Sequence, residues 1–245
     1  MDNSIITSRD NTRIKETRKL LQKKHRDRAG SYLIEGFHLL EEAVKSGAEI
    51  RQLFVEENKQ NKVRGLLDHA STSLVTSDVL KSISDTENPQ GVIAEVTKSD
   101  KSSINYEGKI LILENVQDPG NVGTLIRTAD AAGFDGIICV GETADTYSPK
   151  VLRSAQGSTF HIPVTIGSDE IYDHVQNLLV STLSKDSVDY RTVKLKHFAL
   201  VLGNEGAGVS KHAIESAKQL IHIPMPGQAE SLNVAVAGGI LMFGL

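Results

Sequence analysis

The chain has a single cysteine and six prolines among its 245 residues, and no uninterrupted apolar run near the roughly 18 residues that a membrane-spanning helix needs. A lone cysteine makes no disulfide within the chain. Cys139 stands inside the apolar run IICV without neighbours that would complete a metal cluster, so a buried packing role and no metal are expected. The opening MDNSIITSRDNTRIK lacks the apolar core of a secretory signal, which leads to the expectation of a cytoplasmic chain without membrane contact. Internal repeats and low-complexity tracts are absent too. What remains, 39% hydrophobic and 24% charged residues, suffices for one large domain with a smaller one before it.

The formal net charge of -4 argues against a nucleic-acid binder until it is placed along the chain. Residues 1–28 hold nine bases (Arg9, Arg13, Lys15, Arg18, Lys19, Lys23, Lys24, Arg26, Arg28) against four acids, a net +5 that leaves -9 for the rest. A basic arm on an acidic body suits a partner held through its phosphates, because cations there release counterions from the backbone. A merely solvated helix face gives the same pattern, so charge alone does not decide between the two. The apolar positions of this arm, Ile14, Leu20 and Leu21, predict one basic helix from Ser8 to about Arg28 that docks weakly through a narrow stripe.

From Ser31 the pattern changes to short units. YLIEG reads as a strand, FHLLEEAVKSG as a helix ended by Gly47, IRQLFVEE and GVIAEV as further strands, giving a compact α/β domain over residues 30–97. The polar stretch TKSDKSSINYEG places a linker at residues 98–108. A second domain over residues 109–245 opens with KILILE, an apolar run of the kind buried on both faces of a parallel sheet, and continues through IICV, HIPVTI, FALVLG and LIHIPM with helical stretches between. The expected fold is α/β with a parallel sheet that presents ligands at the carboxyl ends of its strands.

Three motifs follow strands of this second domain. In ENVQDPGNVGTLIRTADAAGF, Pro119 and Gly120 are expected to turn the chain and Asn121 to cap a helix, with Arg127 nearly two turns on and able to face the same cleft mouth. In FALVLGNEGAGVS, three glycines permit close approach of a ligand to bare backbone, and Glu205 stands at the loop tip. This is neither a Walker loop nor the G-x-G-x-x-G dinucleotide fingerprint, which disfavours an oxidoreductase. In IHIPMPGQAESLNVAVAGGILMFGL, two prolines and Gly227 shape a loop before Ser231 and Asn233, after which Ala235, Ala237, Gly238 and Gly239 allow a helix to pack tightly on other backbone. Taken singly, each motif also fits a capped helix, a glycine turn or a close-packed terminal helix.

Together and in this order, NVGTLIRTADAAG, LGNEGAG and ESLNVAVA resemble the three motifs of the SpoU/TrmH family of RNA 2'-O-ribose methyltransferases, over residues 110–245. The preceding unit resembles the ribosomal-protein-like substrate-binding domain that often accompanies that catalytic domain. The resemblance implies a SPOUT-like domain with a deep trefoil knot, a homodimer, and S-adenosylmethionine held around Leu202, Gly203, Asn204, Ile223, Met225 and Leu232. It also implies catalytic roles for Asn121, Arg127, Glu205, Ser231 and Asn233, and an RNA partner, ribosomal before transfer RNA. The rival from another class is an RNA-binding module of the same fold that no longer catalyses. Retention of Arg127, Glu205, Ser231 and Asn233 together argues against it.

Overall fold

The computed structural model describes residues 5–64, 71–98 and 104–245. The chain forms two compact units: Met1–Asp100 with Tyr147–Phe160, and Lys101–Thr146 with His161–Leu245. Residues 99–103 of the expected linker lie outside the described residues. Sequence reading kept residues 109–245 together, whereas Tyr147–Phe160 packs with the first unit. The physical reason is that its Leu152 and Phe160 lie in that unit's hydrophobic core.

The first unit runs α1 (Thr12–Lys19), α2 (Lys23–Ala29), β1 (Ser31–Glu35), α3 (Phe37–Lys45), β2 (Ile50–Glu56), β3 (Ser71–Val75), α4 (Ser77–Ser82) and β4 (Val92–Thr97). Its sheet has the order β1-β4-β2-β3, in which β2 and β3 are parallel and the other pairs antiparallel. Successive side chains of these strands feed two separate cores, as a period of two requires. Ile34, Val55, Val92 and Ala94 join α3 on one side, and Leu33, Phe54 and Ile93 join Ile14, Val79 and Leu80 on the other.

The basic arm differs from the single weakly docked helix expected. It is broken at Leu20–Gln22 into α1 and α2, and Ile14 is wholly buried in the second core. Asn11, whose side chain accepts from the Arg13 amide at 2.9 Å, starts α1. Most of the bases are engaged. Arg9 pairs with Asp78, Lys15 with Asp10, Lys19 with Glu16 and Lys23 with Asp27, while Arg18 donates to the Ser82 carbonyl. Arg26 is buried and donates to the carbonyls of Leu20 and Leu21 at 2.8 and 2.7 Å, closing the break between the helices.

The second unit continues with β5 (Lys109–Glu114), α5 (Pro119–Ala131) and β6 (Gly136–Val140); α6 (Pro149–Ala155) belongs to the segment of the first unit. There follow β7 (Val164–Gly167), α7 (Ile171–His174), β8 (Leu178–Ser181), β9 (Val188–Asp189), β10 (Phe198–Leu202), α8 (Lys211–Ser216), β11 (Gln219–His222) and α9 (Val234–Gly244). All seven strands pair in parallel, in the order β7-β6-β5-β10-β8-β11-β9. The central strands β5, β6 and β10 are buried almost throughout, which is why they read as continuous apolar runs. Short β8, whose apolar run is only Leu178–Val180, and β9, of two residues, were not expected. Cys139 is buried in β6, where desolvation pushes its thiol up to about 12 and leaves it unreactive.

Because Ile14 fills a core rather than a surface stripe, Ile14→Ala is expected to cost about 2–5 kcal/mol in urea unfolding. Lys24→Ala on the exposed face of α2 should stay within about 0.5 kcal/mol. Equal, small effects would mean that α1 is peripheral.

Candidate active site

Parallel strands end on one side of a sheet, so the loops after β8, β10 and β11 meet there. They enclose a cleft of about 330 Å³. Ser181–Leu183, Leu202–Gly208, His222–Ile223, Met225, Ser231–Leu232, Val234 and Ala237 line it. Leu202, Gly203, Asn204, Ile223, Met225 and Leu232 therefore face one space, together with Glu205 and Ser231.

The loop after β10 is a tight, strongly hydrogen-bonded turn. Asn204 and Gly208 exchange backbone bonds of 2.9 and 3.0 Å, and the Asn204 side-chain oxygen accepts from the amides of Gly206 and Ala207 at 2.9 and 2.8 Å. Gly208 takes φ +72°, in the region that favours glycine, and a Cβ on Gly203 would stand 2.5 Å from the Gly208 carbonyl oxygen. Two residues that the sequence did not single out fasten this turn to the end of β5. The Asn204 amide donates to the Asn115 carbonyl at 2.9 Å, and the buried Glu114 carboxylate accepts from the Ser210 amide at 2.8 Å. A lone acid closing the run KILILE is the signal that could have found Glu114: a buried carboxylate persists only where donors satisfy it.

Helix α5 starts one turn before the expected point. Asp118, not Asn121, is the N-cap, its carboxylate accepting from the Asn121 amide at 2.9 Å, and Pro119 opens the helix instead of turning the chain. Proline at the first helical position loses no hydrogen bond and has the right φ, so the Asp-Pro pair was the cap signal. Asn121 thus lies in the first turn with its side chain free for other work. It donates to the Glu205 carboxylate at 2.8 Å and accepts from the Asn233 amide at 3.1 Å. Asn233 in turn caps α9, its oxygen accepting from Ala235 and Val236 at 2.9 and 3.3 Å.

A hydrogen-bonded line from Asn233 through Asn121 to Glu205 therefore joins all three motifs at the edge of the cleft. Arg127 is not part of it. Its side chain is exposed on α5 outside the cleft lining, with no partner among the described residues. Six residues along a helix correspond to about 240° of rotation beyond a full turn, which explains why Asn121 and Arg127 do not point the same way.

Beside the loop, His212 of α8 lies 3.3 Å from both Asp169 and Asp173, and these hydrogen bonds raise its pKa above 6.5. A raised folded value stabilises the α7–α8 contact fully below the unfolded pKa of about 6.5 and loses that contribution as pH rises through the folded value. The His212 resonance is expected to titrate above 6.5 in NMR, and His212→Gln should remove the corresponding alkaline fall in stability. A midpoint at or below 6.5 contradicts the pairing.

The turn itself is tested by Gly203→Ala. It is expected to destabilise by about 1–3 kcal/mol through overpacking against the Gly208 carbonyl. Gly227→Ala, where an added Cβ meets nothing within 4 Å, should shift stability by less than about 1 kcal/mol in the same thermal melts.

Residues 108–243 match the SpoU rRNA Methylase family, and residues 11–94 match the MRM3-like substrate binding domain. A curated relative, the 23S rRNA (guanosine(2553)-2'-O)-methyltransferase RlmP of Bacillus subtilis, is 38% identical, with 98% of each chain covered. Among solved structures, the AdoMet-bound rRNA methyltransferase from Sinorhizobium meliloti has a TM-score of 0.88 at 36% identity, covering 98% of this chain and 96% of that one. The SpoU methyltransferase AviRb from Streptomyces viridochromogenes, in complex with AdoMet, has a TM-score of 0.84 at 30% identity, with 96% of each chain covered.

Proposed function

The chain belongs to the SpoU rRNA methylase family and is an S-adenosylmethionine-dependent RNA 2'-O-ribose methyltransferase, and from that premise we propose which of its residues act and on what. The substrate is ribosomal RNA, as it is for RlmP, and the enzyme works in the cytoplasm. The observation that carries the reading is the line Asn233–Asn121–Glu205 at the rim of the cleft.

The cleft fits the cofactor. Its volume of about 330 Å³ lies in the range of small-molecule sites, and it combines apolar Leu202, Ile223, Met225 and Leu232 with the bare backbone of the glycine turn. These residues, with Gly203 and Asn204, hold the cofactor, which supplies a methyl group on a sulfonium centre. The work left to the protein is mainly alignment of the ribose oxygen. Ser231 and Asn233 orient the ribose and its phosphate, and Asn121 holds Glu205 beside them. The exposed, unpaired Arg127 binds the phosphate beside the target nucleotide, outside the cleft, and from there its positive charge favours ionisation of the 2'-hydroxyl. A guanidinium, which keeps its proton, serves that role better than proton abstraction. Since the nucleophile is the 2'-hydroxyl, DNA is no substrate.

The active form is a homodimer, and the second unit carries a deep trefoil knot. Support for dimerisation comes from α9, where Val236, Ile240 and Phe243 lie one or two turns apart and are 53%, 37% and 66% exposed. Phe243→Asp should convert the dimer to a monomer in light scattering; a wild-type chain that is monomeric at micromolar concentration refutes this part.

Calorimetric titration is expected to show S-adenosylmethionine binding and no NADH binding, and mass spectrometry should find a ribose-methylated nucleotide in 23S ribosomal RNA incubated with the enzyme. Arg127→Ala should lower kcat by about 10²–10³ and leave cofactor affinity unchanged, since the residue stands outside the cleft. Full activity of that variant would remove Arg127 from the mechanism.

A further inference from the structure

We infer that the first unit grips the RNA backbone through one face of α2, centred on Lys24 and Arg28, and not through the basic arm as a whole. The inference rests on the RNA-methyltransferase reading. Six of the nine bases of residues 1–28 are held by carboxylates or backbone carbonyls, and a base that is already paired gains little from a phosphate. Arg13, Lys24 and Arg28 are exposed without a partner among the described residues. Lys24 and Arg28 stand one turn apart on the same side of α2, about 6 Å between their Cβ atoms.

Other cations surround this pair. Asp27 is shared by Lys23 at 2.6 Å and Lys98 at 2.7 Å, so its charge is more than neutralised; the two ammonium groups hold its carboxyl down at about 2. At the carboxyl end of the helix, Arg51 donates to the Ala29 carbonyl at 2.9 Å and lies 3.8 Å from Glu95. The Lys98 ammonium sits 4.7 Å above the Tyr147 ring. The helix that carries Lys24 and Arg28 thus also bears or meets three further cations, of which Lys23 and Lys98 share Asp27 and Arg51 lies beside Glu95, on a chain whose formal charge is -4.

The face lacks what a membrane ligand would require. The large exposed hydrophobic side chains among the described residues, such as Ile166, Leu183 and Phe243, all belong to the second unit. A polyanion contacted without apolar insertion is a nucleic-acid backbone. Arg13 lies on α1, and no contact among the described residues ties it to this cluster.

The test uses the full chain and a 23S ribosomal RNA transcript, with affinity measured across a salt series. Lys24→Gln combined with Arg28→Gln is expected to lower the slope of log K against log salt by about 1.4–1.8, the share of two phosphates, and to raise KM for RNA at unchanged S-adenosylmethionine affinity and melting temperature. Lys19→Gln, which removes a base already paired with Glu16, is the control and should leave the slope as it is. An unchanged slope in the double variant, or an equal fall in the control, overturns the inference. So does tighter binding of the wild-type protein to phosphatidylserine vesicles than to the transcript. If the wild type neither binds nor methylates the transcript, it is the substrate reading of the preceding subsection that fails, a result distinct from a wild type that methylates and a double variant that does so equally well.

Discussion

Gly238 permits the contact on which the rest of the second unit depends. A Cβ there would stand 2.3 Å from Leu125 of α5 and 2.8 Å from Leu202 of β10, so the last helix rests directly on both. That approach sets the position of the amino end of α9, and with it Asn233. Hydrogen bonds of 2.8 and 3.1 Å tolerate shifts of only a few tenths of an ångström. A methyl group at 238 would force the buried Leu125 and Leu202 side chains, or the helix itself, to move, although it lies more than a turn along α9 from Asn233. Glu114 and Asn115 do the same for the glycine turn from the opposite side, fixing it to the end of β5.

Much of the sheet was legible because a strand buried on both faces must be apolar along its whole length, as in Lys109–Glu114 and Phe198–Leu202. What escaped were elements whose burial comes from neighbours and not from their own pattern. Val188–Asp189 is a strand only because β11 lies beside it. Leu152 and Phe160 carry no mark of the unit whose core they complete, since apolar residues do not specify a partner. The start of α5 was misplaced because an asparagine and an aspartate three residues apart are both good caps, and the following proline decides between them. The residues expected around a cofactor do share one cleft, whereas Arg127 stands apart from it, as helical rotation required.

The basic arm shows how far composition can mislead about availability. Its +5 charge is real, yet most of that charge is spent on internal order: Arg26 stitches two helices, Arg18 reaches a carbonyl 64 residues away, and Arg9 holds Asp78 of α4. Only contacts separate a base that builds the fold from one left to meet a ligand.

The return of Tyr147–Phe160 to the first unit sets an order for biosynthesis. A nascent chain that has emerged only as far as β4 has every strand of the first sheet but lacks the residues that finish one side of it. That side closes only after β5, α5 and β6 have left the ribosome, when Leu152 and Phe160 arrive. The two units therefore mature as interleaved partners, and a gene cut between residues 98 and 108 would yield an amino-terminal fragment with an open core.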